Sequence, residues 1–358
     1  MNLTAETIRA IQPLDANAMV LAQARQDQLT KPQGSLGRLE ALSIQLAGIT
    51  ANARPRFRQP VIITMAADHG IARQGVSAYP SEVTPQMVLN FLLGGAAINV
   101  LARHVGARVA VVDMGVAADI PPHPDLLNYK IGYGTRDFSI EPAMTREEAE
   151  RAVAAGIEVV THEIDPSNSA QGGANILGTG DMGIDNTTAS SAIVATLARQ
   201  PIAAITGRGT GLDDVGLAHK VSVIERALAA RCPNPDAAWE VLSKVGGFEI
   251  GGLAGVMIGA AARRVPVVID GFISRPVALL TCGIAPAVQP YLIAAHRSVE
   301  IGHRAVLEDL RLEPLLDLDL RLGEGTGAAL GISLCLAACK ILDAIATFGA
   351  AGVSEKNA

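Results

Sequence analysis

A repeated unit constrains this chain more than any other feature: a short apolar run that ends in aspartate at or just before glycine. It occurs in VIITMAADHG with Asp68, ARVAVVDMG with Asp113, the strand-like ANILG leading into GTGDMG with Asp181, and PVVIDG with Asp270. Such continuous apolar runs fit strands buried on both faces of a parallel sheet. Between them lie helical stretches: REEAERAVAAGIEVVTHEI, ASSAIVATLARQ, VSVIERALAARC, DAAWEVLSKVGG and GGLAGVMIGAAARR, with an apolar PIAAIT among them. A further helix, with Pro85 as its first residue, runs through QMVLNFLLGGAAINVLARH to about His104. The alternation predicts an α/β fold, a mostly parallel sheet with helices on both faces and ligands at the carboxyl ends of the strands. Asp68, Asp113, Asp181, Asp270 and, beyond the last run, His296 then collect on one rim.

Residues 1–58 read as helical with a break at KPQGSLG, residues 59–295 as the sheet-forming part, and residues 296–358 as helices with no strand left to partner them. The two ends are therefore expected to form a small helical domain. Pro276 to Ala295 is uncharged and about long enough to span a bilayer at ~20 residues, but Gly283, Pro286, Gln289 and Pro290 interrupt it, which predicts a buried strand and helix instead. No membrane span and no leader segment are expected, and Cys232, Cys282, Cys335 and Cys339 lack metal or disulfide spacing, which fits thiols in the cytoplasm. A formal charge of −6 excludes a basic nucleic-acid surface.

Several segments have chemistry to offer. Gly178, Gly180 and Gly183 spell GxGxxG between a strand and a helix, the minimal dinucleotide fingerprint, yet Asp181 would face the pyrophosphate and no acid ends the following apolar run. A single phosphate fits better, with Asn186, Thr187 and Thr188 at a helix start and Lys220 as countercharge. His296, Glu300 and His303 share a helical spacing that suits hydrogen bonding better than one metal ion. The DHG at Asp68, His69 and Gly70 suits either catalysis or loop ordering. Asp213 and Asp214 follow GRGTGL rather than an apolar strand, so they suit a helix N-terminus, not a magnesium-pyrophosphate loop. In RLGEGTGAALG, Glu324 stands alone between Gly323 and Gly325, a density of glycine kept where backbones approach closely or φ is positive.

Taken together, LTKPQGSLGRLE, ADHGIARQGVSAYPSEVTPQMVLNFLLGGAAINVLAR, GDMGIDNTTASSAI, TGRGTGLDD, VGGFEIGGLAGVMIGAA, VVIDGFIS and HRSVEIGHRAVLEDLRLEPLLDLDLRLGEGTGAALG resemble the nicotinate mononucleotide:dimethylbenzimidazole phosphoribosyltransferase family, in family order along nearly the whole chain. The resemblance implies a homodimer with a large Rossmann-like domain and a small helical one, acting on small molecules without metal or organic cofactor in cobalamin nucleotide-loop assembly. It implies transfer of ribose phosphate to dimethylbenzimidazole with inversion, giving α-ribazole 5′-phosphate and nicotinate. By the same resemblance Glu324 is the base and Asp181 a second catalytic carboxylate. Gly183, Thr187, Gly209, Gly211 and Lys220 hold the donor, and Tyr79, Pro80, Gln86, Met87 and Leu322 form the acceptor pocket. Asp270 sits at the rim without a defined role. Two positions depart from the family pattern: Asp181 stands where glutamate is usual, and Asp185 where glycine is usual. Rival functions are a nicotinamide-dependent oxidoreductase and a catalytically silent nucleotide-binding regulator.

Overall fold

The computed structural model describes residues 2–168, 172–209, 211–298 and 310–354. Six strands, β1 (Pro60–Ala67), β2 (Arg108–Gly115), β3 (Leu126–Asn128), β4 (Ile176–Met182), β5 (Val267–Ile269) and β6 (Leu292–Ala294), form one sheet in the order β3-β2-β1-β4-β5-β6. Every pairing is parallel. All residues of β1 are buried, and its side chains alternate between two cores: Val61, Ile63, Met65 and Ala67 face one, Ile62 and Ala66 the other. That division follows from the two-residue period of a strand.

The first core is closed by helices Arg146–Ile164, Asn186–Leu197, Phe248–Ala262 and Ser274–Ile284. The second is closed by Arg38–Thr50, Val83–Leu92, Ala97–Val105 and Thr326–Ala344. Both faces are therefore covered, as a parallel sheet requires. Thr326–Ala344 is long and apolar enough to cross a bilayer by composition, but Ala328, Ile332, Cys335 and Cys339 pack in the second core with Ile62 and Val268. The chain ends meet at its carboxyl end. Arg25 donates to the carbonyls of Leu342, Asp343 and Ile345 at 2.6, 3.0 and 3.2 Å, a cationic cap on the last turn. Leu29 bridges Thr347. In the KPQGSLG break, Glu40 accepts from the N–H groups of Gly34 and Leu36 and pairs with Lys31 at 2.8 Å.

Some elements differ from the sequence expectation. The helix expected from Pro85 to His104 is two, Val83–Leu92 and Ala97–Val105, because Gly94 turns the chain at φ +76°. PIAAIT, read only as an apolar run, forms the single helical turn Ile202–Ile205. His296 lies in a two-residue strand, His296–Arg297, paired with Leu316–Asp317, so the helical spacing drawn through it does not hold. Glu300 and His303 lie outside the described residues. Cys335 and Cys339 are buried, and burial raises both thiols, Cys339 to about 12; Cys232 is exposed.

Candidate active site

The strand order reverses between β1 and β4, the switch point at which parallel α/β sheets open a crevice. Asp68 follows β1, Asp181 sits near the end of β4 beside Met65, and Asp270 follows β5. These acids share a rim but have different work. Asp113 is engaged in its own loop, accepting from Gly115 and Val116 and pairing with Lys130 at 3.2 Å. Asp68 accepts from the Ala117 N–H at 2.7 Å. Asp270 accepts from Gly325 N–H at 2.9 Å and Ala328 N–H at 3.0 Å, so it anchors the Glu324 loop to the start of helix Thr326–Ala344.

The GxGxxG fingerprint resolves into something other than a dinucleotide loop. Gly178 and Gly180 lie inside β4, not in the turn after it. A Cβ on Gly178 would meet Ala328 Cβ at 3.1 Å, and one on Gly180 would fall 2.7 Å from the Glu324 carbonyl carbon and 2.7 Å from Thr64 Oγ1. Their missing side chains let the GEG loop lie flat on the strand. Thr64 Oγ1 donates to the Glu324 carbonyl at 3.1 Å from the neighbouring strand. Within the loop Gly323, Glu324 and Gly325 have φ of +84°, +63° and +97°. Glycine takes that left-handed region freely, but glutamate does so at a cost of order 1 kcal/mol or more, sustained only where surroundings over-determine it. The strand glycines, Thr64 and Asp270 supply that constraint.

Glu324 is buried, and its Oε2 has no hydrogen-bond partner among the described residues. Burial raises its pKa; the Ile98 N–H at the start of helix Ala97–Val105 opposes the shift, and the charge of Asp270 adds to it. Asp181 is raised well above the usual carboxylate range by burial first, then by Asp270 and Glu249, against one hydrogen bond from Asn186 Nδ2 at 2.9 Å. A Cβ on Gly323 would lie 3.5 Å from Asp181 Oδ2, so the two carboxylate-bearing segments touch.

On the other side of Asp181, helix Asn186–Leu197 begins at the crevice. Lys220 is 1% exposed and donates from Nζ to Thr187 Oγ1 at 2.7 Å, and a Cβ on Gly209 would lie 2.9 Å from that oxygen and 3.3 Å from Nζ. Thr187, Gly209 and Lys220 thus converge. Gly211 has φ +110° and open space where a Cβ would stand. Asp213 caps helix Asp214–Arg231 by accepting from Gly216 N–H at 2.8 Å, the helix N-terminal role expected for it.

Gln86 and Met87 lie on helix Val83–Leu92, Met87 half-buried and Gln86 exposed; Tyr79 and Pro80, in the stretch before that helix, and Leu322, beside Gly323, are exposed. Thr84 ties this helix to the β4 loop, accepting from Ile184 N–H at 3.1 Å and hydrogen-bonding Asp68. Two cavities of about 420 Å³ lie elsewhere, one bordered by Asn99, Arg103 and Asp125, the other by Arg38, Gln45 and Glu313. Sequence reasoning missed Glu249, fully buried with an oxygen 2.7 Å from His69 Nε2. Its one signal was an acid in the otherwise apolar VGGFEIGG.

The arrangement can seat an anion at a helix N-terminus beside a buried lysine and accept a proton at Glu324 Oε2. Fold and crevice together define an α/β protein whose acids and buried lysine gather at a sheet switch point. A family model described as phosphoribosyltransferase matches residues 11–353. The chain is 68% identical to the nicotinate-nucleotide–dimethylbenzimidazole phosphoribosyltransferase of Roseiflexus sp. (strain RS-1), over 99% of each chain. It is 64% identical to the protein of the same name from Chloroflexus aurantiacus (strain ATCC 29366 / DSM 635 / J-10-fl), over 99% of this chain and all of the relative. The crystal structure of the enzyme so named from Thermus thermophilus superposes with a TM-score of 0.89 at 45% identity, covering 96% of this chain and 100% of that one. The chain belongs to this family of phosphoribosyltransferase enzymes.

Proposed function

We propose that the protein transfers the 5-phosphoribosyl group of nicotinate mononucleotide to a ring nitrogen of dimethylbenzimidazole with inversion at C1′. The products are α-ribazole 5′-phosphate and nicotinate, for the nucleotide loop of cobalamin. Glu324 carries this reading: a buried carboxylate with a free oxygen, fixed on a left-handed turn beside a second buried acid. The acceptor's lone pair forms the new bond to C1′ while the bond to the pyridinium nitrogen breaks, and its electrons neutralise the departing nicotinate ring. The azole N–H proton passes to Glu324. Because the leaving group is already cationic, the one proton to be managed is the acceptor's, which a single positioned carboxylate can take.

The N-terminus of helix Asn186–Leu197, with Gly183, Thr187 and Lys220, holds the donor phosphate, and Gly209 and Gly211 border it. Asp181 faces the ribose, where positive charge develops. Tyr79, Pro80, Gln86, Met87 and Leu322 form the open side that admits the flat acceptor. The two chain ends act as one helical unit fastened to the sheet, and the enzyme works as a cytoplasmic homodimer. Purified protein given both substrates should release nicotinate and form an α-linked nucleotide, read by the anomeric proton coupling. A β-linked product, or no nicotinate release, overturns the proposal.

A further inference from the structure

The proposed chemistry leaves a buried charged cluster unused. His69, Glu249, Asp185 and Asp68 are 3%, 0%, 4% and 5% exposed, and they meet where β1 and β4 end. His69 Nε2 lies 2.7 Å from Glu249 Oε1. His69 Nδ1, Glu249 Oε2 and Asp185 Oδ2 have no hydrogen-bond partner among the described residues. The pair is wedged between two glycine backbones: a Cβ on Gly183 would lie 3.5 Å from His69 Cδ2, and one on Gly247 2.5 Å from Glu249 Oε2. Asp185 is held at φ +72° immediately before helix Asn186–Leu197, with Thr188 Oγ1 donating to its Oδ1 at 3.2 Å. A bare carboxylate at that point favours the helix but opposes any second anion at the same N-terminus.

We propose that His69, locked as an imidazolium by Glu249, is a positioning residue of the donor site: it neutralises Asp185, leaving Thr187, Lys220 and the helix N–H groups to the donor phosphate. The inference rests on the donor reading above. Glu249 from helix Phe248–Ala262 is in contact with His69, and the other charges acting on the ring are Asp185 from the loop after β4 and its neighbour Asp68, so all are acids. Burial opposes charge on the ring, but Glu249, Asp185 and Asp68 outweigh it and leave the His69 pKa raised. Burial raises the Asp185 carboxyl, and the charges of Lys220 and His69 oppose that rise.

His69→Gln should raise the donor KM by about tenfold, the size of one well-placed charge contact, while the acceptor KM stays within about twofold. Adding Asp185→Asn to that variant should restore most of the donor affinity, since the charge to be neutralised is gone. A donor KM unchanged in His69→Gln, or a double variant no better than the single one, overturns the role. Should His69→Gln fail to fold, calorimetric binding of nicotinate mononucleotide to the unaltered protein decides, followed from about pH 7, above the second phosphate pKa of about 6, upward through the His69 titration as read by NMR of its ring in the same protein. Affinity should weaken as pH rises through the raised His69 pKa, and Asp185→Asn should flatten the dependence. A flat profile for the unaltered protein overturns the role. If the unaltered protein does not bind nicotinate mononucleotide at all, it is the donor reading that fails.

Discussion

Gly180→Ala tests the placement of Glu324 without touching any group that reacts. The new methyl would stand 2.7 Å from the Glu324 carbonyl carbon, so that carbon alone must retreat by about 0.7 Å to reach the 3.4 Å of ordinary contact, and the carbonyl oxygen, closer still, must move further. β4 cannot yield instead, being paired on both sides and buried along Ile176–Gly180. The Glu324 loop therefore lifts, straining its bonds to Thr64 and Asp270. A displacement approaching 1 Å at a reacting group costs on the order of 10²-fold in rate, and overpacking of this kind costs about 1–3 kcal/mol in stability. Nicotinate release at saturating substrates should fall by about 30- to 100-fold, with the donor KM close to wild type. Gly349→Ala, at a position with nothing within 4 Å, serves as the control. Combining Gly180→Ala with Glu324→Gln should cost little more than Glu324→Gln alone, because both remove the same positioned base. Wild-type turnover in Gly180→Ala, or full additivity in the double variant, refutes the reasoning.

Glu324→Gln should lower kcat by about 10²- to 10⁴-fold with donor binding preserved. Because burial raises the Glu324 pKa above 4.5 and the base acts ionised, wild-type kcat should decline with falling pH at a point above 4.5; an acid limb below it counts against Glu324. Lys220→Ala should raise the donor KM and spare the acceptor KM, since the phosphate contact proposed for it would hold in ground and transition state alike. Asp181→Asn should stabilise the protein near neutral pH. The folded pKa of Asp181 is raised, so stability present below its unfolded value is lost as pH rises through the folded one, and removing the charge removes that loss. Thermal unfolding should show a Tm higher by a few degrees at pH 8, and the gain should shrink toward pH 4; a lower Tm at pH 8 contradicts the assignment.

The rim was legible because a parallel strand writes itself as an apolar run and its carboxyl end as the first polar residue, which gave Asp68, Asp113, Asp181 and Asp270. The GEG segment was legible because adjacent glycines mark unusual backbone. What lay hidden was non-local. Nothing near Gly178 and Gly180 says that they seat a loop from Glu324, and the same spacing spells a cofactor fingerprint that the strand pairing then overrules. His69 and Glu249 are 180 residues apart, so neither local pattern announces their contact. The helix from Pro85 read as continuous because the apolar period runs through the glycines that end it. β3 is three residues long and half-exposed, too short for any period to show.

Asp270 joins the end of β5 to the amino end of the last long helix, and that joint ties two distant parts of the chain to one carboxylate. Asp181, Thr187, Gly209 and Lys220 all precede Glu324 in the chain, and Glu324 is tethered through the N–H groups of Gly325 and Ala328 to a carboxylate at the end of a strand. A chain that stopped short of Gly325 would lack both the tether of the Glu324 turn and the helix that packs on Ile62 and Val268. Helix Thr326–Ala344, which closes the second core, is also the helix whose amino end holds the Glu324 turn, so the packing of Ile332 and the placement of that carboxylate share one anchor.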